Sequence, residues 1–126
     1  GVVYGSAFNL EKTFRRTLAI RQFYMYTVCM ADLRFEWDGA KERQNRVKHG
    51  IAFDEAQSVF YDPNAIRYFD NDHSDNEDRF LMLGASLKLN VIVVCHWFRV
   101  SDSVIRIISA RKANKDESET YWRSIP

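Results

Sequence analysis

Apolar positions along this chain come in short, punctuated runs rather than long amphipathic stripes. From Leu33 to Trp37 they alternate well enough for a strand, and Asp38 then stands where a side-chain oxygen caps a helix running to His49. Only Ala40 and Val47 of that helix are apolar, so it is expected on the surface with its charges in water. Gly50 supplies the left-handed residue that ends a helix, with Lys48 and His49 in the last turn, where cations are favoured. Asp54 is placed to cap the next helix, Glu55 to Phe60, which would bury Ala56, Val59 and Phe60 and stop at Asp62-Pro63. Four strands follow, at Ala65 to Phe69, Arg79 to Ala85, Asn90 to Phe98 and Val104 to Ala110, with no crossover helix between them. Asn114 to Trp122 reads as a last helix with Asp116 and Glu117 in its first turn. This order predicts an α+β domain: a small antiparallel sheet of four to five strands, two N-terminal helices packed on one face, and a C-terminal helix.

The 126 residues are 46% hydrophobic and 14% aromatic, enough for one core and too few for two domains. Residues 1–29 lack the periodicity that begins near Met30. The expected division is therefore an N-terminal extension at 1–29, with Met30 as the native initiator, and a single domain at 30–126. The alternative is a further helix across Leu10 to Met25 whose Phe14, Leu18 and Ile20 pack on the domain. Charge is unevenly spread: the formal net charge is +1, but residues 1–30 carry +3, which leaves the remainder at −2. Bulk charge cannot draw such a domain to nucleic acid, so any RNA contact needs a local basic patch. Cys29 and Cys95 read as free thiols, and no apolar run approaches the roughly 20 residues that span a bilayer. A cytoplasmic protein without a membrane partner is expected.

Candidate chemistry concentrates in two places. Arg106 and Arg111 lie on the last strand, with Lys112 beside them. Alternation puts Arg106 with Val104 and Ile108, and Arg111 with Ile105 and Ile107 if the strand stays regular. Guanidinium groups at a strand end can hold a phosphate bidentately and meet the charge of a pentavalent transition state; pairing with a carboxylate on a neighbouring strand is the alternative. The second place is the acidic run from Asp70 to Arg79. Asp70, Asp72 and Ser74 alternate as in a calcium loop, but Asp75 stands where the sharp-turn glycine belongs and Leu81 where the bidentate glutamate belongs. The histidines are scattered: His49 closes a helix, and His96 alternates with Val94 and Phe98 as a core or cross-strand residue would. Without paired His or Cys spacing, and without a glycine-rich phosphate loop, neither a metal nor a cofactor is expected.

Three segments in this order, Arg34-Phe35-Glu36-Trp37-Asp38, the turn from Lys48 to Ala56, and Ile105 to Ala113, resemble the BrnT family of bacterial toxins, small ribonucleases of type II toxin–antitoxin systems. The resemblance runs from about Leu33 to about Trp122. It implies an RelE-like fold and a metal-independent endoribonuclease that cleaves RNA by 2′-hydroxyl attack, inhibiting translation and growth. It singles out His73, Glu77 and Arg79, the first two moving protons and the arginine binding phosphate alongside Arg106 and Arg111. Lys41, Arg43, Arg46, Lys48, His49 and Lys112 are the candidate RNA contacts. It also implies a DNA-binding antitoxin of the BrnA type, through which alone operator DNA would be reached, and a homodimer or a heterotetramer with that antitoxin. The competing reading is a non-catalytic module that docks an acidic protein or nucleic acid through the basic first helix and the last strand.

Overall fold

A computed structural model of the chain describes residues 2–5, 34–70, 78–99 and 103–126. The elements are β1 (Val2–Gly5), β2 (Arg34–Asp38), α1 (Gly39–His49), α2 (Phe53–Ser58) continued by a 3-10 turn at Val59–Tyr61, β3 (Ile66–Phe69), β4 (Phe80–Ala85), β5 (Val91–Arg99), β6 (Val104–Lys112) and α3 (Lys115–Ser124). They form one sheet in the order β1-β2-β6-β5-β4-β3. The α+β class and the placement of the helices agree with the sequence. The all-antiparallel expectation needs one correction: β3 to β6 form an antiparallel meander, but β2 lies parallel to β6, pairing Arg34, Phe35 and Glu36 with Val104, Ile105 and Arg106. Alternation cannot reveal this, because a strand looks the same in either direction.

Local chemistry sets the corner between the helices. Asp38 caps α1 by accepting from the backbone N–H groups of Ala40 and Lys41 at 2.8 and 3.2 Å. Gly50 ends it at φ +72°, a conformation that favours glycine. Asp54 does not cap α2. The N-cap is Ala52, which makes no side-chain bond, and the carboxylate comes instead from the preceding helix, where Glu42 Oε2 accepts from Phe53 N–H at 3.2 Å.

The principal core lies between the sheet and α1 with α2. Phe35 and Trp37 of β2 meet Phe60 and Phe53 edge-on, at centroid distances of 5.2 and 6.0 Å, over Met82, Ile92, Val94, Ile105 and Ile107. Gly84 of β4 permits the close approach of the 3-10 turn: a Cβ there would stand 2.8 Å from Val59 Cγ1. On the opposite face α3 covers Leu83 and Val93 with Tyr121, held by the Tyr121 hydroxyl donating to Asp62 Oδ2 at 2.6 Å.

Candidate active site

Register alone assembles a row of polar side chains across the face opposite α1 and α2. Glu36 pairs with Arg106, and Arg106 pairs in turn with Trp97. Since Phe80 pairs with His96, the preceding residue, Arg79, continues the ladder beside Trp97. Asp70 closes the row, its N–H donating to the Arg79 carbonyl at 2.8 Å. Two of the expected phosphate ligands, Arg79 and Arg106, are thus set on one face of the sheet, on either side of Trp97 of β5. The acidic segment that carries His73 and Glu77 connects Asp70 to Asp78 at the end of this row, but those two residues, with Asp72, Ser74 and Asp75, lie outside the described residues. Among the described residues no three His, Cys, Asp or Glu side chains converge in a way that could hold a metal ion.

Arg111 is displaced from its expected face. The last strand is irregular: Cys95 pairs with Ser109 and His96 with Ile107, so Ile108 is an extra residue. A bulge of one residue reverses the alternation beyond it. Ile105 and Ile107 therefore point to the principal core, while Arg111 shares the α3 face with Arg106. Its guanidinium is committed to a bidentate pair with Glu117 of α3, at 2.7 and 2.9 Å. That hydrogen bonding raises the Arg111 pKa and lowers that of Glu117, whose Oε1 also accepts from Asn114 N–H at 2.9 Å in a capping box at the start of α3.

The basic first helix packs on the other side of the sheet. Lys41, Lys48 and His49, with Gln44, Asn45, Ile108 and Ser109, line a cavity of about 300 Å³ between α1 and the bulge of β6. Arg43 points away into solvent, and Arg46 pairs with Glu42 at 3.2 Å. Lys112 is exposed at the end of β6. The candidate RNA contacts are thus divided between two faces and do not form one surface.

Two neighbours on β5 show how face decides chemistry. Cys95, on the side of the row, is a free thiol that burial pushes up to about 11, with the nearby negative charge of Asp70 acting in the same direction. It is a poor nucleophile at neutral pH. His96 is fully buried in the principal core, as its alternation with Val94 and Phe98 suggested. Its ring meets Phe60 edge-on at 4.9 Å, and burial lowers its pKa to about 4.

Three polar residues escaped the sequence reading. Glu36, in a strand that alternates, looks like a solvent-facing position but is 2% exposed. Arg99, at the end of β5, reaches Glu36 as well as Trp97. Asn45, in a helix of charges, is the residue through which α1 docks. The Arg-Phe-Glu-Trp-Asp pattern contained the one available signal, a carboxylate between two aromatic residues that must both face the core.

A family model described as the ribonuclease toxin BrnT of type II toxin–antitoxin systems matches residues 37–117, more than half of the chain. Among solved structures, a similar one is the 1.1 Å crystal structure of the Brucella abortus ribonuclease toxin BrnT. It is 25% identical, the match covers 63% of this chain and 94% of that one, and the TM-score is 0.48. In the comparison with curated proteins nothing matches. Among the described residues no helix is long and apolar enough to cross a membrane.

Proposed function

We propose, since this chain belongs to the BrnT family of ribonuclease toxins of type II toxin–antitoxin systems, that it cleaves RNA on the open face of its sheet without a metal ion. The observation that carries this reading is the single row in which strand register sets Arg79 and Arg106 on one face of the sheet, on either side of Trp97. In the proposed reaction a base removes the proton of a ribose 2′-hydroxyl, whose oxygen attacks the adjacent phosphorus. The bond to the 5′-oxygen breaks and that oxygen takes a proton, leaving a 2′,3′-cyclic phosphate that water can open to a 3′-phosphate. Arg79 and Arg106 bind the phosphate and meet the charge of the phosphorane, a task that fixed donors perform well. His73 and Glu77, next to this row in the chain, exchange the protons. Arg111 and Lys112 line the path of the RNA beyond the bulge, and Lys41, Arg43, Arg46, Lys48 and His49 contact longer substrates on the far side. Cleavage of cellular RNA would stop translation and growth.

The family pairs each toxin with an antitoxin. A BrnA-like, DNA-binding partner that covers the arginine row would silence the toxin and carry it to operator DNA, in a heterotetramer or on a toxin homodimer.

The test is degradation of RNA by the purified full chain in EDTA, with Arg106→Ala as control. Cleavage by the wild type, reduced at least tenfold in the variant by loss of about 2–4 kcal/mol of transition-state stabilisation, is expected. Activity abolished by EDTA and restored by a divalent cation would overturn the metal-free mechanism. Binding of RNA with no cleavage under either condition would leave a docking module.

A further inference from the structure

Glu36 stands at the β2 end of the row with no chemical task in the scheme above. Its Oε1 accepts from Arg99 Nη1 at 3.1 Å and from Arg106 Nη1 at 3.2 Å, and its Oε2 accepts from Arg99 Nη2 at 3.5 Å. The carboxylate side chain is 3% exposed, whereas the Arg99 and Arg106 side chains are 39% and 25% exposed. The acid is sealed beneath its two partners, and they keep one side open to solvent. Arg99 is supported from a second direction, its guanidinium lying 5.5 Å from the centroid of the Trp97 ring.

Two guanidinium groups brought together without a counter-charge repel, and long side chains on a sheet surface sample many rotamers. One buried carboxylate removes both difficulties and neutralises only one of the two charges. What remains is a net positive pair with a fixed spacing. Each guanidinium carries five N–H donors in a rigid fork, and Arg106 spends one nitrogen on Glu36 among the described hydrogen bonds. A phosphodiester, with two non-bridging oxygens, fits two such forks side by side.

We infer that Arg99 and Arg106 form a paired-guanidinium clamp for an RNA phosphodiester, in which Arg99 is a second phosphate ligand and Glu36 is the positioning residue that holds the pair. The identity of the phosphate as RNA rests on the ribonuclease reading. The pairing itself rests on the geometry around Glu36.

The sign of one substitution separates positioning from simple charge. Glu36→Gln removes a negative charge from beneath the clamp, so electrostatics alone would tighten binding of a polyanion. Positioning requires the opposite. Binding of a 2′-O-methyl oligoribonucleotide, which cannot react through the 2′-oxygen, is measured for the full chain, together with kcat and KM on the unmodified oligomer and thermal unfolding. Arg99→Ala should weaken binding about tenfold and lower the slope of log Kd against log salt by about one contact, with little change in unfolding. Glu36→Gln should also weaken binding and lower kcat about tenfold, yet have no further effect on binding in an Arg99→Ala, Arg106→Ala background. Unchanged binding in Arg99→Ala, or tighter binding in a folded Glu36→Gln, would overturn the clamp. Should Glu36→Gln fail to fold, the exposed Arg99→Ala decides alone. If the wild type cleaves no RNA while the analogue still binds through Arg99, the ribonuclease reading fails and the clamp stands.

Discussion

His96 ties the acid stability of the protein to a single ring. Its Nδ1 lies 3.3 Å from the Val94 carbonyl, and its Nε2 is buried without a hydrogen-bond partner among the described residues. The neutral ring is the form this site accepts. In the unfolded chain a histidine titrates near 6.5, whereas here the pKa is lowered to about 4. Between those values the unfolded state binds the proton that the folded state refuses, so stability is full above pH 6.5 and falls as the pH drops toward 4. The loss from this group is on the order of 3 kcal/mol. Denaturant titrations at pH 7 and pH 4.5 should show a smaller pH-dependent loss for His96→Phe than for the wild type, and equal losses would remove His96 as the cause. This residue was legible in the sequence because its own alternation with Val94 and Phe98 assigns its face. Glu36 was not, because the partners that make it a buried anion, Arg99 and Arg106, lie 63 and 70 residues further on.

At the scale of elements, the turn from α1 to α2 shows what local sequence can and cannot determine. The stop at Gly50 and the cap at Asp38 use only neighbouring atoms, and both were readable. The docking of α1 was not. Of its two apolar residues, Ala40 is exposed and Val47 is 90% exposed, so the hydrophobic pattern points to no buried face. Beyond Arg106, β6 has no strand beside it on the β2 side among the described residues, and Asn45 occupies that edge. Its Oδ1 accepts from Ala110 N–H at 3.0 Å, while its Nδ2 donates to the carbonyls of Ala110 and Ile51 at 2.9 Å each. The side-chain amide pairs with Ala110 as a further strand would, and it also binds the corner after Gly50. Asn45→Ala would leave three buried backbone groups unsatisfied, at roughly 1–3 kcal/mol each before water and relaxation recover part of it. A loss of at least about 2 kcal/mol is expected. Asn45→Asp should also destabilise, since a carboxylate would face two carbonyl oxygens. Chemical denaturation checks both, and a near-wild-type midpoint for Asn45→Ala would show that α1 is held by something else. The bulge at Ile108 was equally hidden, because one inserted residue leaves no mark on composition and is set by the pairing with β5.

Over the whole molecule, the candidate catalytic arginines and the candidate RNA-binding helix stand on opposite faces of the sheet. The arginine row and Glu36 occupy the α3 face, whereas Lys41, Arg43, Arg46 and Lys48 stand on α1 on the opposite side. On the proposed function, a substrate of a few nucleotides would engage the row, and only a longer strand would pass around the sheet to reach α1. Each cation that meets a phosphate releases counterions, with a contribution of about 0.7 to the logarithmic salt slope for single-stranded RNA. Replacing Lys41, Arg43 and Lys48 together by Gln should therefore weaken binding of an RNA of several tens of nucleotides and reduce its salt slope by up to about two. Cleavage of a short oligomer should stay within about twofold of the wild type, because none of the three touches the row. Arg46 is left in place, since its pair with Glu42 supports the carboxylate that holds the start of α2. Filter binding at several salt concentrations, on long and short RNAs, measures both quantities. A parallel loss on short substrate would place α1 in the catalytic surface itself, and an unchanged salt slope on long RNA would mean that the helix carries its charge for solubility or for the antitoxin.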